Sequence, residues 1–202
     1  MKFKQKLMLL SISLVVIIFI LGYGHLNPDS IFSWGKVARQ KRIVYKIVDY
    51  MLHEDAAMSK EELKDVAVMI YKESEQYKLD YRLVLAIMKV ESNFKQDAVS
   101  SKGARGLLQV KPSHAKYIAH SLGIRWSGAQ TLDKPDNNIK IGVHFFSKLM
   151  EDYDNVNMAL HAYNIGPTRL KEIMSENNRP NKTFSNLVLM EYGKNKILLP
   201  DP

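Results

Sequence analysis

Residues 80–94 read DYRLVLAIMKVESNF, the pattern of a buried helix with a carboxylic acid on its apolar face. Asp80 can cap this helix, because a short acidic side chain accepts hydrogen bonds from the free backbone N–H groups of a first turn. The pattern predicts a helix over about 81–93. Glu91 lies one turn beyond Ile87 and continues the apolar stripe. A carboxyl group at such a position needs an explanation.

Glu91 is the candidate for acid–base chemistry. It falls in the last turn of the helix, where the negative end of the helix dipole opposes ionisation. Burial against apolar neighbours also favours the neutral acid. A carboxyl group that keeps its proton at neutral pH can protonate a glycosidic oxygen. The helix pattern alone leaves open the alternative of a glutamate that points into water.

The rest of the chain predicts helices and no alternating strands, so the expected fold is all-α. Ser59 and Glu62 form a capping-box pattern at the start of one helix. Gly123 suits a helix end, and Pro167 suits a first helical turn. Apolar periodicity predicts helices at 36–53, 59–77, 81–93, 113–121, 136–151, 156–164, 167–176 and 182–192.

Composition excludes several classes of chemistry. The 202 residues contain no cysteine, so disulfides, thiol catalysis, cysteine–zinc sites and lipid-modified cysteines are excluded. Of the six histidines, His114 and His120 are not spaced to share adjacent helical turns, and no metal or other cofactor is expected. The net charge of +8 favours anionic surroundings such as lipid headgroups or wall polymers. Nucleic acid is not expected, since the basic residues are scattered without an aromatic stacking pattern.

The amino terminus predicts membrane targeting. Three lysines within residues 2–6 precede an uncharged stretch, 7–23, which is rich in Leu, Ile, Val and Phe. As a helix it would be about 25 Å long, near the lower limit for crossing a bilayer. An uncleaved single-pass anchor is favoured over a cleaved signal peptide, because no Ala-x-Ala site follows. The positive-inside rule then places the rest of the chain in the periplasm or cell exterior, on the cytoplasmic (inner) membrane.

Four sequence blocks follow one another over about residues 75–175. They are LAI and ESNF (85–87 and 91–94), AVS with GARGLLQV and Pro112 (98–100, 103–110 and 112), NI with Gly142 (138–139 and 142), and AYNIGP (162–167). In this order and spacing they resemble the goose-lysozyme-like lytic transglycosylases, in the soluble-transglycosylase (SLT) branch. The resemblance implies a lysozyme-like helical domain whose substrate is the glycan strand of bacterial peptidoglycan.

The resemblance also implies roles for five residues. Glu91 matches the family's single catalytic acid. Ser100 matches a serine beside the reacting sugar, and Gln109 matches a glutamine that lines the cleft. Tyr163 matches a tyrosine that holds the catalytic carboxyl group in place, and Asn164 belongs to the same wall of the cleft.

The implied reaction needs one carboxyl group. Glu91 would protonate the oxygen between N-acetylmuramic acid and N-acetylglucosamine, then deprotonate the muramic O6 hydroxyl, which closes onto C1 to give the 1,6-anhydro sugar. Asp97 stands where the family often has Asn, so a second catalytic acid is not expected there. Two alternatives remain open: a hydrolytic muramidase, and a non-catalytic peptidoglycan-binding component of an envelope machine. The sequence does not indicate a protein partner.

This chain departs from the family pattern at three positions. Leu108 replaces a common Met, Phe145 replaces a Tyr, and Lys111 replaces an apolar residue and adds a cation near the glycan. Gly103 and Gly106 are expected either to let the backbone approach the glycan or to form a plain loop. None of these positions is the predicted acid, so they concern substrate preference.

The predicted domain organisation has four parts. An anchor occupies 1–24, a linker 25–35, accessory helices 36–77 and the lysozyme-like catalytic domain 78–202. The basic residues of 36–46 fit a solvated helix face, or contact with anionic lipid headgroups just after the anchor.

Overall fold

The computed structural model describes residues 28–202, with side-chain environments from Trp34 onward. This part of the chain is all-α, as predicted, and contains isolated β-bridges but no strand. Its helices are α1 (Pro28–His53), α2 (Lys60–Gln76), α3 (Tyr81–Ser92), α4 (Pro112–Ser121), α5 (Pro135–Tyr153), α6 (Val156–Ile165), α7 (Pro167–Ser175) and α8 (Thr183–Leu198), with a 3-10 helix at Ala129–Asp133.

The linker prediction is wrong for residues 28–35, which belong to α1. A proline suits the first turn of a helix, because its missing N–H has no intrahelical partner there. Gly35 lies inside α1, and a single glycine costs about 1 kcal/mol in a helix interior, which a long helix tolerates. The turn-forming residues that suggested a linker are therefore accommodated within a helix.

Both predicted helix caps are confirmed. The Ser59 side chain accepts from the Glu62 backbone N–H at 3.2 Å, and the Ser59 N–H donates to the Glu62 carboxylate at 2.8 Å. Asp80 accepts from the backbone N–H of Arg82 at 2.9 Å. These caps fix the starts of α2 and α3, which pack against each other.

Residues 43–202 form one compact unit, and α3 lies in its core. All eight residues of 81–88 are buried. The apolar face of α2 is buried as predicted and packs on α5 and α3. The predicted catalytic helix α3 is thus packed against both α2 and α8. The predicted domain boundary at residue 78 stays a prediction.

The last helix, α8, packs against α3. It ends at Leu198, whereas the sequence predicts an end near residue 192. The run of polar residues after that point suggests a helix end, but Asn195 is buried and donates to the carbonyl of Arg82 at 3.0 Å. Arg82 in turn pairs with Asp80 at 2.8 Å. A polar residue therefore faces inward because α3 offers it a backbone partner.

The predicted membrane segment, 7–23, lies outside the described residues. Within residues 28–202, no helix has the length and apolar character that crossing a membrane requires.

Candidate active site

A groove of about 520 Å³ opens beside the end of α3. Its walls come from α3, the segment 100–111, α4, α5, α6 and the start of α7. All five residues that the sequence singles out line it: Glu91, Ser100, Gln109, Tyr163 and Asn164. The fold thus brings together residues separated by more than seventy positions in the chain.

Glu91 lies in the last turn of α3, as predicted, and its side chain is half-buried. Burial raises the pKa of this carboxyl group to about 7, and the nearby cation of Lys111 opposes part of that rise. No hydrogen bond to the carboxyl group comes from the described residues. Glu91 is therefore close to half-protonated near neutral pH, which suits a group that must first give and then take a proton.

Ser92 fixes the end of α3 next to Glu91. Its buried hydroxyl donates to the carbonyl of Leu107 at 2.8 Å and lies 3.1 Å from the carbonyl of Met88. After it, Asn93 and Phe94 take positive φ values of 50° and 59°, and the Phe94 side chain is fully buried. The helix end is thereby tied to the groove-lining segment.

The segment 98–110 forms a compact loop with two isolated bridges. The side-chain amide of Gln109 donates to the carbonyls of Ala98 and Gly106, each at 3.0 Å. The Ser100 hydroxyl accepts from the N–H of Ala104 at 3.0 Å. Both predicted binding residues thus stabilise the loop. Each also has a hydrogen-bonding group that no described residue binds: the side-chain oxygen of Gln109 and the O–H of Ser100.

The side chain of Asn138, on α5, forms hydrogen bonds that fix this loop to α5. It is fully buried, and its amide donates to the carbonyls of Arg105 at 2.8 Å and Leu132 at 3.0 Å. Its side-chain oxygen accepts from the N–H of Leu108 at 2.9 Å. A buried amide with all these bonds made gives the loop one defined position.

Two glycines are required by this packing. A Cβ on Gly106 would lie 2.3 Å from the Asn138 amide nitrogen, and one on Gly142 would lie 2.7 Å from the Leu108 side chain. Neither Gly103 nor Gly106 is among the residues that line the groove. Of the two interpretations left open, loop geometry therefore fits Gly106 (φ 73°) better than close approach to a glycan.

Tyr163 forms the opposite wall, but its hydroxyl does not bond to Glu91. It donates to the carbonyl of Leu108 at 2.7 Å. The ring packs on Phe145 and Phe146, with centroids 5.5 Å and 5.8 Å away. Burial and the nearby Glu91 raise the pKa of Tyr163 well above its usual value of 10. The hydroxyl of Tyr163 thus holds the loop, and its role in keeping the carboxyl group of Glu91 in place stays a prediction.

The groove also contains residues for which the sequence predicts no role. His114 stacks at 5.2 Å on Phe145, and burial and Lys111 lower the pKa of His114. Lys102 and Arg169 line the groove as well. His114 has no sequence signal beyond its place on an amphipathic helix. Residues 28–202 contain no group of three or more side chains placed to bind a metal ion.

Sequence comparison finds one matching family and several relatives. Residues 68–186 match the family described as Transglycosylase SLT domain. The transglycosylase of Enterobacteria phage PRD1 is 32% identical over 127 residues, which cover 63% of this chain and 44% of that protein. The membrane-bound lytic murein transglycosylase C of Sodalis glossinidius is 37% identical over 87 residues, covering 42% of this chain and 24% of that one. The chain thus spans less than half the length of these relatives.

Structure comparison gives the same fold. An inactive mutant of lytic transglycosylase Slt from Pseudomonas aeruginosa, in which a Glu is replaced by Gln, matches with a TM-score of 0.56 and 26% identity. The match covers 66% of this chain and 24% of that one. The 70 kDa soluble lytic transglycosylase of Escherichia coli matches with a TM-score of 0.57 and 18% identity, over 80% of this chain and 32% of that one. The second likeness shows the fold alone.

Proposed function

Since the chain belongs to the transglycosylase SLT domain family, we propose that it is a peptidoglycan lytic transglycosylase with Glu91 as its acid and base. The observation that supports this most is the state of that carboxyl group. Burial brings its pKa to about 7, and among the described residues that line the groove it is the only carboxylate.

One carboxyl group limits the mechanism. Glycosidases that use a protein nucleophile or a protein base for water need a second carboxylate across the scissile bond. Here the substrate supplies the nucleophile. Glu91 donates its proton to the oxygen between N-acetylmuramic acid and N-acetylglucosamine, and the bond from that oxygen to C1 of the muramic residue breaks. The neighbouring N-acetyl group stabilises the electron-poor C1.

The second half of the reaction returns the proton to Glu91. The carboxylate accepts a proton from the O6 hydroxyl of the same muramic residue while O6 bonds to C1, which gives 1,6-anhydro-N-acetylmuramic acid. No water is consumed. The Ser100 O–H and the Gln109 side-chain oxygen are proposed to bind the sugar on one wall, and Asn164 on the other. Tyr163 acts through Leu108 on the position of the loop.

Product analysis tests this proposal. The full chain is incubated with purified sacculi, and the released fragments are analysed by mass spectrometry. Anhydro ends are expected, and reducing ends in their place would mean a hydrolytic muramidase. Glu91→Gln keeps the size of the side chain but removes its acid–base function, so we expect a loss of cleavage of at least about 10³-fold. Cleavage at the full rate by Glu91→Gln would contradict the assignment of Glu91.

The proposed location is the outer face of the cytoplasmic membrane. The apolar segment 7–23 would anchor the chain, and some relatives are named as membrane-bound. Cell fractionation of the full chain tests this. Recovery in the membrane fraction after an alkaline wash is expected, and recovery in a soluble fraction would contradict the anchor.

A further inference from the structure

The groove carries an excess of positive charge. Lys102, Lys111 and Arg169 line it together with His114, whereas Glu91 is the only acidic residue among the described residues that do so. These cations come from three separate parts of the fold: the segment after Ser100, the start of α4 and the first turns of α7. Their convergence on one groove is therefore a property of the tertiary structure.

Lys111 is not explained by its local structure. It occupies the N-cap position of α4, where its side chain makes no capping hydrogen bond and where the positive end of the helix dipole disfavours a cation. It also lies near His114, where burial first and the charge of Lys111 second lower the pKa of His114. No carboxylate of the described residues forms an ion pair with Lys111 or Lys102, whereas Arg169 pairs with Glu172 at 2.9 Å.

Lys111 also works against the catalytic acid. A cation near Glu91 favours the carboxylate, and only the stronger effect of burial keeps the proton on. A lysine that is unfavourable for its helix, for His114 and for the general acid points to a favourable partner that arrives with the substrate.

We propose that the groove contains a subsite for a carboxylate group of the glycan strand, with Lys111 as its main ligand and Lys102 as a second cation. This rests on the proposed function and names the substrate class more closely: strands that carry negative charge near the bond to be cut. A muramic residue offers such a group in two ways, on its own lactyl side chain when the peptide is absent, or on the attached peptide. Either carboxylate has the same chemistry.

The experiment compares strands before and after their carboxylates are converted to neutral amides. Peptide-free and peptide-bearing strands are both used, so that the two sources of charge are distinguished. Calorimetry measures binding to the full chain carrying Glu91→Gln, which is not expected to cut the ligand. For at least one strand type, amidation should weaken binding about fivefold at low salt, and the difference should shrink at high salt.

The variant Lys111→Met keeps the length of the side chain without its charge. When Lys111→Met is combined with Glu91→Gln, most of the difference in binding affinity between charged and amidated strands should disappear. Lys116→Met is the matched control, because Lys116 lies on the exposed face of the same helix and does not line the groove. It should leave the difference unchanged.

Two outcomes would overturn the subsite: equal binding of charged and amidated strands, or a difference that survives Lys111→Met. Failure of the proposed function has another signature. In that case the chain with Glu91 intact releases no product from any strand, while the binding comparison still decides whether the carboxylate subsite exists.

Discussion

The hydroxyl of Tyr163 donates a 2.7 Å hydrogen bond to the backbone carbonyl of Leu108. The N–H of Leu108 is bound by Asn138, and its side chain packs against Gly142. This one residue therefore joins the groove-lining loop to α5 and α6. Because Gln109 follows directly, the position of the proposed substrate-binding side chain depends on these contacts.

Tyr163→Phe removes the bond to Leu108 and keeps the ring between Phe145 and Phe146. We expect the free energy of unfolding to fall by about 1 kcal/mol, the usual contribution of one hydrogen bond. The pH at which activity is half-maximal should stay in place, because the hydroxyl does not bond to Glu91. Tyr117→Phe is the control, since Tyr117 is exposed and should be neutral. A rise of a full unit in that pH would contradict this account and would mean that the hydroxyl of Tyr163 itself stabilises the charged carboxyl group of Glu91.

Gly142→Ala tests the contact with Leu108. The added Cβ would lie 2.7 Å and 2.9 Å from two carbons of Leu108, so the loop must shift. We expect a loss of about 1–3 kcal/mol in the free energy of unfolding, together with reduced cleavage. The matched control is Gly193→Ala, another helical glycine, whose Cβ would meet nothing within 4 Å. That change should stabilise the chain by up to about 1 kcal/mol. Equal effects at the two sites in denaturant unfolding would contradict the packing argument.

The two predicted caps and the buried stripe of α3 could be predicted from sequence because they depend on neighbours within a few residues. The helical structure of residues 28–35 could not be predicted in this way, because proline and glycine occur both in loops and in helices such as α1. The extension of α8 was missed because the partner of Asn195 is the backbone of Arg82, more than a hundred residues away.

The same distinction applies to the site. The resemblance identified five residues that the fold does bring to one groove. It did not show that Tyr163 bonds to Leu108, or that Asn138 rather than a glycan fills the space beside Gly106. These are contacts between distant segments, and a pattern of residue types along one chain does not specify them.

Asn138→Ala should have the largest effect on stability among the residues behind the loop. It leaves the carbonyls of Arg105 and Leu132 and the N–H of Leu108 without their side-chain partner. The carbonyl of Arg105 keeps the N–H of Val110 as a partner, whereas the other two groups lose their bond to Asn138. A buried polar group left without a partner costs about 1–3 kcal/mol, so a loss of at least about 2 kcal/mol is expected. Asn137→Ala, which removes one 3.2 Å bond to the carbonyl of Thr131, should cost less than about 1.5 kcal/mol. Thermal unfolding measures both, and a smaller loss at Asn138 than at Asn137 would contradict this account.

The pH dependence of activity follows from the pKa of Glu91. The general acid must be protonated in the free enzyme, and burial raises its pKa to about 7. We therefore expect kcat/KM to fall as pH rises through about 7, approaching tenfold per pH unit above it. Lys111→Met should move the fall to higher pH, because Lys111 favours the carboxylate. The other titratable groups that face the groove are Lys102, His114, Tyr163 and Arg169. Their effect on binding is measured separately, as the pH dependence of the affinity of Glu91→Gln for a charged strand.

The same carboxyl group predicts a pH-dependent stability. The folded chain holds the Glu91 proton up to about pH 7, whereas an unfolded glutamate releases it near 4.5. The folded chain is therefore most stable, with respect to Glu91, below pH 4.5, and this stability is lost as pH rises to about 7 and above. The loss in the free energy of unfolding is at most about 3 kcal/mol. Glu91→Gln removes this cost, so it should stabilise the chain by about 2–3 kcal/mol at pH 8 and by little at pH 4. Urea unfolding at both pH values measures the difference, with exposed Glu75→Gln as the control. A gain from Glu91→Gln that is the same at pH 4 and pH 8 would mean that the carboxyl group is not sheltered, and the acid–base role proposed for it would lose its physical basis.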